Sequence, residues 1–243
     1  MSRVRLDKLL ADAGLGARSQ VKLLIKKGLV TVNGQPAAGP EQKVDAEKDA
    51  VSCRGQLLSN ASLYYYMLNK PPGYVSAVTD EKEPTVLSLL KGAPGRGLFP
   101  AGRLDKDTEG LLLITNDGEL AHRLLSPRRH VDKTYLVLAA GHLTPEDLNL
   151  LETGVDIGEE KPTLPARARL LSHPEPDLSL AELTIHEGKF HQVKRMFAAV
   201  GKPVLKLTRT SMGGVALDPA LPPGAYRPLT GEELLLLKNA AGL

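Results

Sequence analysis

The apolar positions in the first 28 residues have the spacing of two short amphipathic helices. The first predicted helix has a single apolar face, formed by Leu6, Leu9, Leu10 and Ala13. Ser2 stands where the N-cap of this helix is expected, and Gly14 stands where the helix would end. The second predicted helix begins at its N-cap, Ser19, and ends at Gly28.

The spacing of apolar residues then changes to that of a β-hairpin. Val30 and Val32 precede the pair Asn33-Gly34, which is a strong local signal for a two-residue hairpin turn. The N-terminal part of the chain is therefore predicted to be a helical pair followed by a hairpin.

A polar stretch divides the chain. Residues 36–60 are polar and acidic, and they lead into a predicted linker at residues 59–62. This composition predicts a small domain over residues 1–60 and a larger domain over residues 61–243.

The larger domain mixes strand and helix patterns without a repeating order. Strands are predicted at residues 64–68, 74–78, 111–115, 134–139, 166–171 and 180–185. Helices are predicted at residues 84–90, 119–125, 145–153 and 190–200, and after the capping box of Thr230 and Glu233. Because a regular β-α-β order and a glycine-rich nucleotide motif are both absent from the pattern, we expect an α+β fold.

Composition limits the class of protein. The 243 residues are 42% apolar and 24% charged, as expected of folded domains. Cys53 is the only cysteine, so an internal disulfide is excluded and we expect a reducing compartment. No apolar run approaches the roughly 20 residues of a membrane span, and the charged N-terminus lacks a signal-peptide core. We therefore expect a cytoplasmic protein without a membrane partner.

The net charge of +3 is unevenly distributed. Residues 1–28 carry seven basic residues against two aspartates, a local charge of +5. The seven are Arg3, Arg5, Lys8, Arg18, Lys22, Lys26 and Lys27. Residues 184–209 carry six basic residues against one glutamate, again +5. Two such concentrations indicate a polyanionic partner, with an ordinary solvated face as the alternative.

The segment from Ala101 to Leu111 contains the most distinctive group of polar residues. Arg103 and Asp105 are two positions apart, so in an extended segment their side chains point to the same side. An arginine beside a carboxylate favours the ionised form, which suits a nucleophile or a base. Two other interpretations stay open. One is a solvated acidic turn, and the other is a calcium loop, although Asn116 occupies the position where such a loop requires glutamate.

The predicted helix at residues 190–200 is the second candidate functional element. Its apolar stripe is formed by Phe190, Val193, Phe197 and Val200. His191 and Arg195 lie on the opposite face, and Lys194 flanks them. This face is either an ordinary amphipathic surface or a binding face.

Tyr135 lies on a predicted strand close to the basic residues Arg128, Arg129 and Lys133. A tyrosine in this setting is either a core residue or a side chain that stacks on an unpaired base. In the second case, Arg128 and Lys133 are candidate nucleic-acid contacts.

Several groups of residues together resemble the signature motifs of the ribosomal RNA pseudouridine synthases. The main groups are Gly102-Arg103-Leu104-Asp105 with Thr108-Glu109-Gly110-Leu111, Lys133-Thr134-Tyr135, and His191-Gln192-Val193-Lys194-Arg195-Met196. Shorter matches are Met67-Leu68-Asn69-Lys70-Pro71, Ser126-Pro127-Arg128 and Tyr226-Arg227-Pro228-Leu229-Thr230. Residues 3–60 resemble the small RNA-binding domain named after small-subunit ribosomal protein four. The likeness therefore covers nearly the whole chain.

The resemblance implies roles for individual residues. Asp105 matches the catalytic aspartate of the family, and Arg103 matches the arginine that helps to displace the target base. Tyr135 matches the stacking tyrosine. The basic residue that pairs with the aspartate falls at Lys194 or Arg195.

The resemblance also implies a fold and an activity. The fold is a small helical-hairpin RNA-binding domain joined to a catalytic domain with a mixed, largely antiparallel sheet. The activity is the isomerisation of a specific uridine in ribosomal RNA to pseudouridine, without a cofactor or a metal. The motifs are most similar to those of members that act on the small subunit. This implies the uridine at position 516 of 16S RNA as the target, and we expect a monomer that acts on the RNA or on an assembly intermediate.

Three alternatives have to be weighed against this function. One is a synthase for large-subunit RNA, which shares most of the motifs. Another is a non-catalytic assembly protein that binds ribosomal RNA, but such a protein would not need Arg103, Asp105 and Tyr135 together. A hydrolase with Asp105 and Asp107 as an acid–base pair is disfavoured, because two nearby carboxyl groups in one loop poorly flank a scissile bond.

Overall fold

The computed structural model describes residues 3–13, 15–45, 48–58 and 63–243. The predicted cap Ser2, the predicted stop Gly14 and the predicted linker at residues 59–62 lie outside this part of the chain. The described residues form two compact units. The N-terminal unit runs up to Tyr64 and includes Ala93–Leu98, and the C-terminal unit comprises Tyr65–Gly92 and Phe99–Leu243.

The N-terminal unit contains two helices and short strands. In chain order these are β1 (Val4–Arg5), α1 (Leu6–Asp12), α2 (Arg18–Lys26), β2 (Val30–Val32), β3 (Gln35–Pro36), β4 (Lys43–Val44), β5 (Val51–Cys53) and β6 (Gln56–Leu57). Four strands form an antiparallel sheet in the order β3-β2-β5-β6, and β1 pairs with β4. Both helices and this sheet contribute to one apolar core, formed by Leu6, Leu10, Val21, Ile25, Val30, Val32, Val44, Val51 and Cys53.

Local signals predicted part of this unit correctly. Asn33 and Gly34 have φ values of 53° and 79°, as the predicted hairpin turn requires, and Gly28 follows α2 with a φ of 69°. The predicted N-cap Ser19 was wrong, because Ala17 holds that position and its N–H donates to the side-chain Oε1 of Gln20, 2.9 Å away.

The strands β4, β5 and β6 were not predicted. Each has only two or three residues, which is too short for a periodic pattern to stand out within a polar stretch. Their pairing partners are distant in the chain, so local composition did not reveal them.

The C-terminal unit is built on a large mixed sheet with helices. Its elements are β7 (Tyr65–Lys70), β8 (Phe99–Pro100), β9 (Glu109–Thr115), α3 (Gly118–Leu125), β10 (Lys133–Ala140), α4 (Pro145–Thr153), β11 (Arg167–Ser172), β12 (Leu178–Ile185), α5 (Gln192–Ala199), β13 (Val204–Met212), β14 (Val215–Ala216), β15 (Tyr226–Pro228) and α6 (Gly231–Ala241). Two short 3₁₀ turns lie at Val86–Leu89 and Pro127–Arg129.

The sheet of this unit has nine strands. Its order is β11-β12-β10-β13-β9-β7-β15, with β14 paired to β13 and β8 paired to β9. The β9–β13 pair is parallel, and the other pairs within the described residues are antiparallel. This arrangement confirms the predicted α+β class and the mixed, largely antiparallel sheet.

One apolar core of this unit includes residues from β7, β9, α3, β13 and α6. Its fully buried members include Met67, Leu111, Leu120, Leu124, Met212, Leu237 and Ala241. The helices predicted at residues 145–153 and after Thr230 form as α4 and α6, and capping boxes at Thr144 and Thr230 begin them. No helix among the described residues combines the length and the apolar character needed to cross a bilayer.

Two strand predictions differ from the structure. Residues 74–78 do not form a strand and contribute only an isolated bridge between Val75 and Thr85. The central strand β13 was not predicted, because Lys206 and Arg209 interrupt the apolar alternation that identifies a strand.

Gly110 marks a close approach of two backbones at the start of β9. It pairs with Arg209 of β13 in the parallel register and has a φ of 98°. A Cβ atom on Gly110 would lie 2.3 Å from the carbonyl oxygen of Arg209. The parallel junction of the sheet therefore requires glycine here.

We predict that Gly110→Ala lowers the free energy of unfolding by about 2–4 kcal/mol, from backbone strain and steric overlap. The matched control is Gly118→Ala at the first position of α3, where an added Cβ meets no atom within 4 Å. The control should change stability by less than about 1 kcal/mol. Urea denaturation of both variants measures this, and equal unfolding free energies would contradict the inferred constraint.

Candidate active site

Asp105 lies in the loop between β8 and β9, and hydrogen bonds fix the backbone of this loop. Leu104 is buried. The hydroxyl of Ser76 donates to the Leu104 carbonyl oxygen at 2.8 Å and accepts from its N–H at 3.1 Å. The Thr108 N–H donates to the Asp105 carbonyl oxygen at 3.1 Å, which closes a turn directly after Asp105. The position of the carboxylate is thus determined by a fixed backbone.

Lys70, at the end of β7, is fully buried beneath the same loop. Its Nζ donates to the carbonyl oxygens of Pro71, Lys106 and Thr108 at 3.2, 3.1 and 2.8 Å. Burial lowers the pKa of Lys70 to about 8, although nearby carboxylates, Asp107 first among them, act to raise it. Lys70 belongs to the motif segment Asn69-Lys70-Pro71, but no local pattern in the chain indicated that its side chain is buried.

Two side chains at the start of α5, those of Lys194 and His191, contact Asp105. The Nζ of Lys194 is 3.2 Å from Oδ2 of Asp105 and 2.5 Å from Oδ1 of Asp107. The Nε2 of His191 is 3.4 Å from Oδ1 of Asp105. Partial burial acts to lower the pKa of Lys194, but its hydrogen bonds to Asp107 and Asp105 outweigh this and raise the pKa. Lys194 is therefore charged at neutral pH and faces the carboxylate.

The expected ion pair between Arg103 and Asp105 is not formed. Both residues line the same cleft, but Arg103 is exposed and makes no ion pair with the described residues. Asp105 is turned towards α5 instead, where Lys194 provides the cation. Arg195 does not contact Asp105 either, since its guanidinium binds Glu159 with Nη1 and Oε1 2.7 Å apart.

The cleft above Asp105 is open to solvent. Its lining residues are Arg103, Leu104, Asp105, Thr108, Tyr135, Ile185, Gly188, Lys189, His191, Gln192, Val193 and Leu207. Tyr135 is 8% exposed, so it is mostly buried and still forms part of the wall. The cleft thus combines one carboxylate, several cations and an apolar wall, which suits a flat, partly polar ligand.

Lys133 does not lie on the surface. It shares the buried face of β10 with Tyr135 and Val137, and it is 7% exposed. Its Nζ donates to the Val131 carbonyl oxygen at 2.8 Å, and burial together with the charge of Arg209 lowers its pKa to about 8. The strand alternation therefore removes Lys133 from the expected RNA contacts, whereas Arg128 is exposed.

The helix expected at residues 190–200 begins later, at Gln192. Val193 and Phe197 are buried as predicted. Phe190 was wrongly assigned to the apolar stripe, because it precedes the helix and is 73% exposed. His191 is the N-cap residue of α5 and has a left-handed φ of 49°.

Most of the expected basic contacts in the N-terminal unit are exposed. These are Arg3, Arg18, Lys22, Lys26 and Lys27, with Lys8 half-buried. Arg5 is different, because its guanidinium makes two hydrogen bonds to the buried carboxylate of Asp7, at 3.0 and 2.8 Å. These hydrogen bonds lower the pKa of Asp7, so Arg5 contributes to the structure of the unit.

Two family models match the chain. Residues 64–199 match the model described as RNA pseudouridylate synthase. Residues 4–51 match the S4 domain. The first match spans more than half of the chain and contains Asp105, Tyr135 and Lys194.

Relatives are similar over almost their entire length. An uncharacterised RNA pseudouridine synthase of Bacillus subtilis, YtzG, is 50% identical over 97% of this chain and 99% of its own. The ribosomal small subunit pseudouridine synthase A of Escherichia coli is 41% identical, over 95% and 98%. The ribosomal large subunit pseudouridine synthase B of Bacillus subtilis is also 41% identical, over 98% and 96%.

A crystal structure of a pseudouridylate synthase has a similar fold. Its sequence is 38% identical, and it covers 96% of this chain and 99% of its own with a TM-score of 0.68. The likeness therefore includes both units of the chain.

Proposed function

The chain belongs to the RNA pseudouridine synthase family, and we propose that it converts one uridine of small-subunit ribosomal RNA to pseudouridine with Asp105 as the catalytic carboxylate. It is an isomerase that acts on RNA. Its relatives include enzymes for both ribosomal subunits, which supports ribosomal RNA as the substrate. The preference for the small subunit, and for the uridine at position 516, rests on the motifs of the whole chain.

The reaction rearranges the nucleotide without adding or removing atoms. The N1–C1′ bond breaks, the uracil turns, and a C5–C1′ bond forms, while C5 loses a proton and N1 gains one. An ionised carboxylate can assist either by attack on C1′ or by removal of a proton from C2′. In both routes the uridine must leave its base stack to reach the enzyme.

The contact between Asp105 and Lys194 is the observation that carries the catalytic proposal. The ammonium of Lys194 lies 3.2 Å from Oδ2 and places a positive charge beside the carboxylate at the floor of the cleft. The buried turn around Leu104 fixes where that carboxylate points. Asp105 is therefore pre-positioned beside a cation, as either route requires.

The walls of the cleft suit a displaced uracil. Tyr135 offers an aromatic ring, and Leu207 and Ile185 add apolar surface. Arg103 is exposed at the cleft and free of ion pairs with the described residues, so its guanidinium is available to take the place of the displaced base in the RNA.

The N-terminal unit is proposed to hold the RNA through its phosphates, with residues 1–60 as the RNA-binding domain and residues 61–243 as the catalytic domain. Arg18, Lys22 and Lys26 are exposed and four residues apart on α2, so they form one basic row. Such contacts position a protein on RNA and carry little sequence information. A ribosomal RNA substrate fits a cytoplasmic location, and we propose a monomer as the active form.

We predict that Asp105→Asn lowers pseudouridine formation by more than about 1,000-fold, because the amide cannot act as a base or nucleophile. The melting temperature should change by less than about 3 °C, since the site is partly exposed. Pseudouridine is measured by its positional signal in RNA, and stability by thermal unfolding.

Asp107→Asn is the matched control for this variant. Asp107 also contacts Lys194, but its side chain is 73% exposed, against 26% for Asp105. We expect it to keep at least about a tenth of the wild-type activity. Equal loss in both variants would move the chemistry from Asp105 to the acidic loop as a whole.

The proposed substrate is tested by incubating the wild-type protein with small-subunit RNA, large-subunit RNA and small-subunit assembly intermediates. We expect pseudouridine at a single uridine of the small-subunit RNA and none in the large-subunit RNA, with Asp105→Asn as the inactive control. Modification of large-subunit RNA alone would keep the family activity and reject the small-subunit assignment.

The double variant Lys22→Gln/Lys26→Gln tests the role of the basic row. Each phosphate-binding cation that is removed should reduce the slope of log affinity against log salt concentration by about 1, so the double variant should lose about 2 and bind more weakly. Lys43→Gln, in the same unit but outside α2, should change the slope less. Filter binding at several salt concentrations measures this, and an unchanged slope in the double variant would exclude the row from RNA binding.

A further inference from the structure

Phe190 is an apolar side chain that the protein leaves in solvent beside the active site. It is 73% exposed, and its ring stacks on His191 with centroids 3.8 Å apart and an interplanar angle of 18°. Single exposed apolar residues are common and need no explanation. A stacked aromatic pair at the edge of a catalytic cleft is a more specific arrangement.

His191 links this pair to the catalytic carboxylate. Its Nε2 lies 3.4 Å from Oδ1 of Asp105, and its side chain lines the cleft. Its backbone is left-handed, with a φ of 49°, a conformation that costs energy for a residue with a side chain. Retention of this strained conformation directly before α5 is typical of functional sites.

The turn that carries the two rings is held on both sides. Oε1 of the buried Gln192 accepts from the Lys189 N–H at 2.9 Å. Nη1 of Arg195 donates to the Phe190 carbonyl oxygen at 3.0 Å. Lys189 Nζ donates to the carbonyl oxygens of Lys161 and Pro162 at 2.9 and 3.0 Å. Because the backbone is fixed, the rings can bind a ligand with little loss of conformational entropy.

From these observations we propose that Phe190 and His191 form a stacking platform for the RNA base next to the target uridine, a role that rests on the proposed function. When the uridine leaves its stack, its neighbour loses one stacking partner. The exposed face of Phe190 replaces that partner at the edge of the cleft. The cations Arg103 and Lys189, which line the same cleft, give the edge a charge that is complementary to the RNA backbone.

The platform also connects substrate binding with the catalytic group. A base that stacks on Phe190 restrains the ring of His191 beneath it, and His191 contacts Asp105. The neighbouring base is in this way bound next to the catalytic carboxylate. Stacking tolerates every base because each has a flat face, so the platform selects for an ordered neighbour and not for one sequence.

The test uses the full-length protein and a fragment of small-subunit RNA that contains the modified uridine. Phe190→Leu keeps an apolar side chain but removes the flat aromatic face. We expect KM to rise about 5-fold to 150-fold, as for the loss of one base stack, with a smaller effect on kcat. Phe190→Tyr, which keeps the aromatic face, should have the KM of the wild-type protein. Leu150→Ala, a change at an exposed leucine of α4, should leave KM unchanged.

A second measurement separates stacking from folding and from catalysis. The neighbouring base is replaced by the fluorescent base 2-aminopurine, and fluorescence is measured on binding to the inactive Asp105→Asn protein. The Asp105→Asn protein should quench the 2-aminopurine fluorescence. The Asp105→Asn/Phe190→Leu protein should not quench it, even at saturating protein concentration. Equal quenching in both, or an unchanged KM in Phe190→Leu, would overturn the platform. Absence of pseudouridine with the wild-type enzyme would instead reject the proposed function, since the fluorescence result does not depend on turnover.

Discussion

The buried ammonium of Lys70 connects the end of β7 with the loop that carries Asp105. Three backbone carbonyl oxygens surround it, two of which belong to that loop. Hydrogen bonds to a charged group contribute about 1.5–3 kcal/mol each, yet the pKa of Lys70 stays lowered to about 8. The hydrogen bonds therefore offset only part of the cost of burial. These hydrogen bonds do not offset the rest of the free-energy cost of burying the ammonium, but they fix the backbone of the loop that carries Asp105.

The loop that carries Asp105 is thus held between two cations with different tasks. Lys70 is buried and donates to backbone carbonyl oxygens, so it fixes the backbone conformation of the loop. Lys194 lies at the cleft and binds the side chains of Asp105 and Asp107, so it places a positive charge beside both carboxylates. Gly110 makes the parallel pairing of β9 with β13 possible. This pairing joins the strand after the loop to the strand that follows α5 along the chain. Together these contacts prepare the carboxylate before any RNA is bound.

Local signals in the sequence determined the elements whose stabilising contacts lie within a few residues. The hairpin at Asn33-Gly34 and the helices that begin after Thr144 and Thr230 belong to this group, because a turn or a cap is complete in itself. The strand β13 does not, since its charged residues are accommodated by neighbouring strands. The short strands β4 to β6 likewise depend on partners elsewhere in the chain.

The same division holds for the active site. The sequence by itself determined the family motifs, and with them Asp105, Tyr135 and the candidate pair of Lys194 and Arg195. Only the tertiary structure decided that Lys194 faces Asp105 while Arg195 binds Glu159, that Lys133 is buried and that Phe190 is exposed. The reason is physical: Asp107 and Lys194, which meet at 2.5 Å, are 87 residues apart in the chain. A contact over that separation depends on strand pairing and helix packing, which local periodicity does not encode.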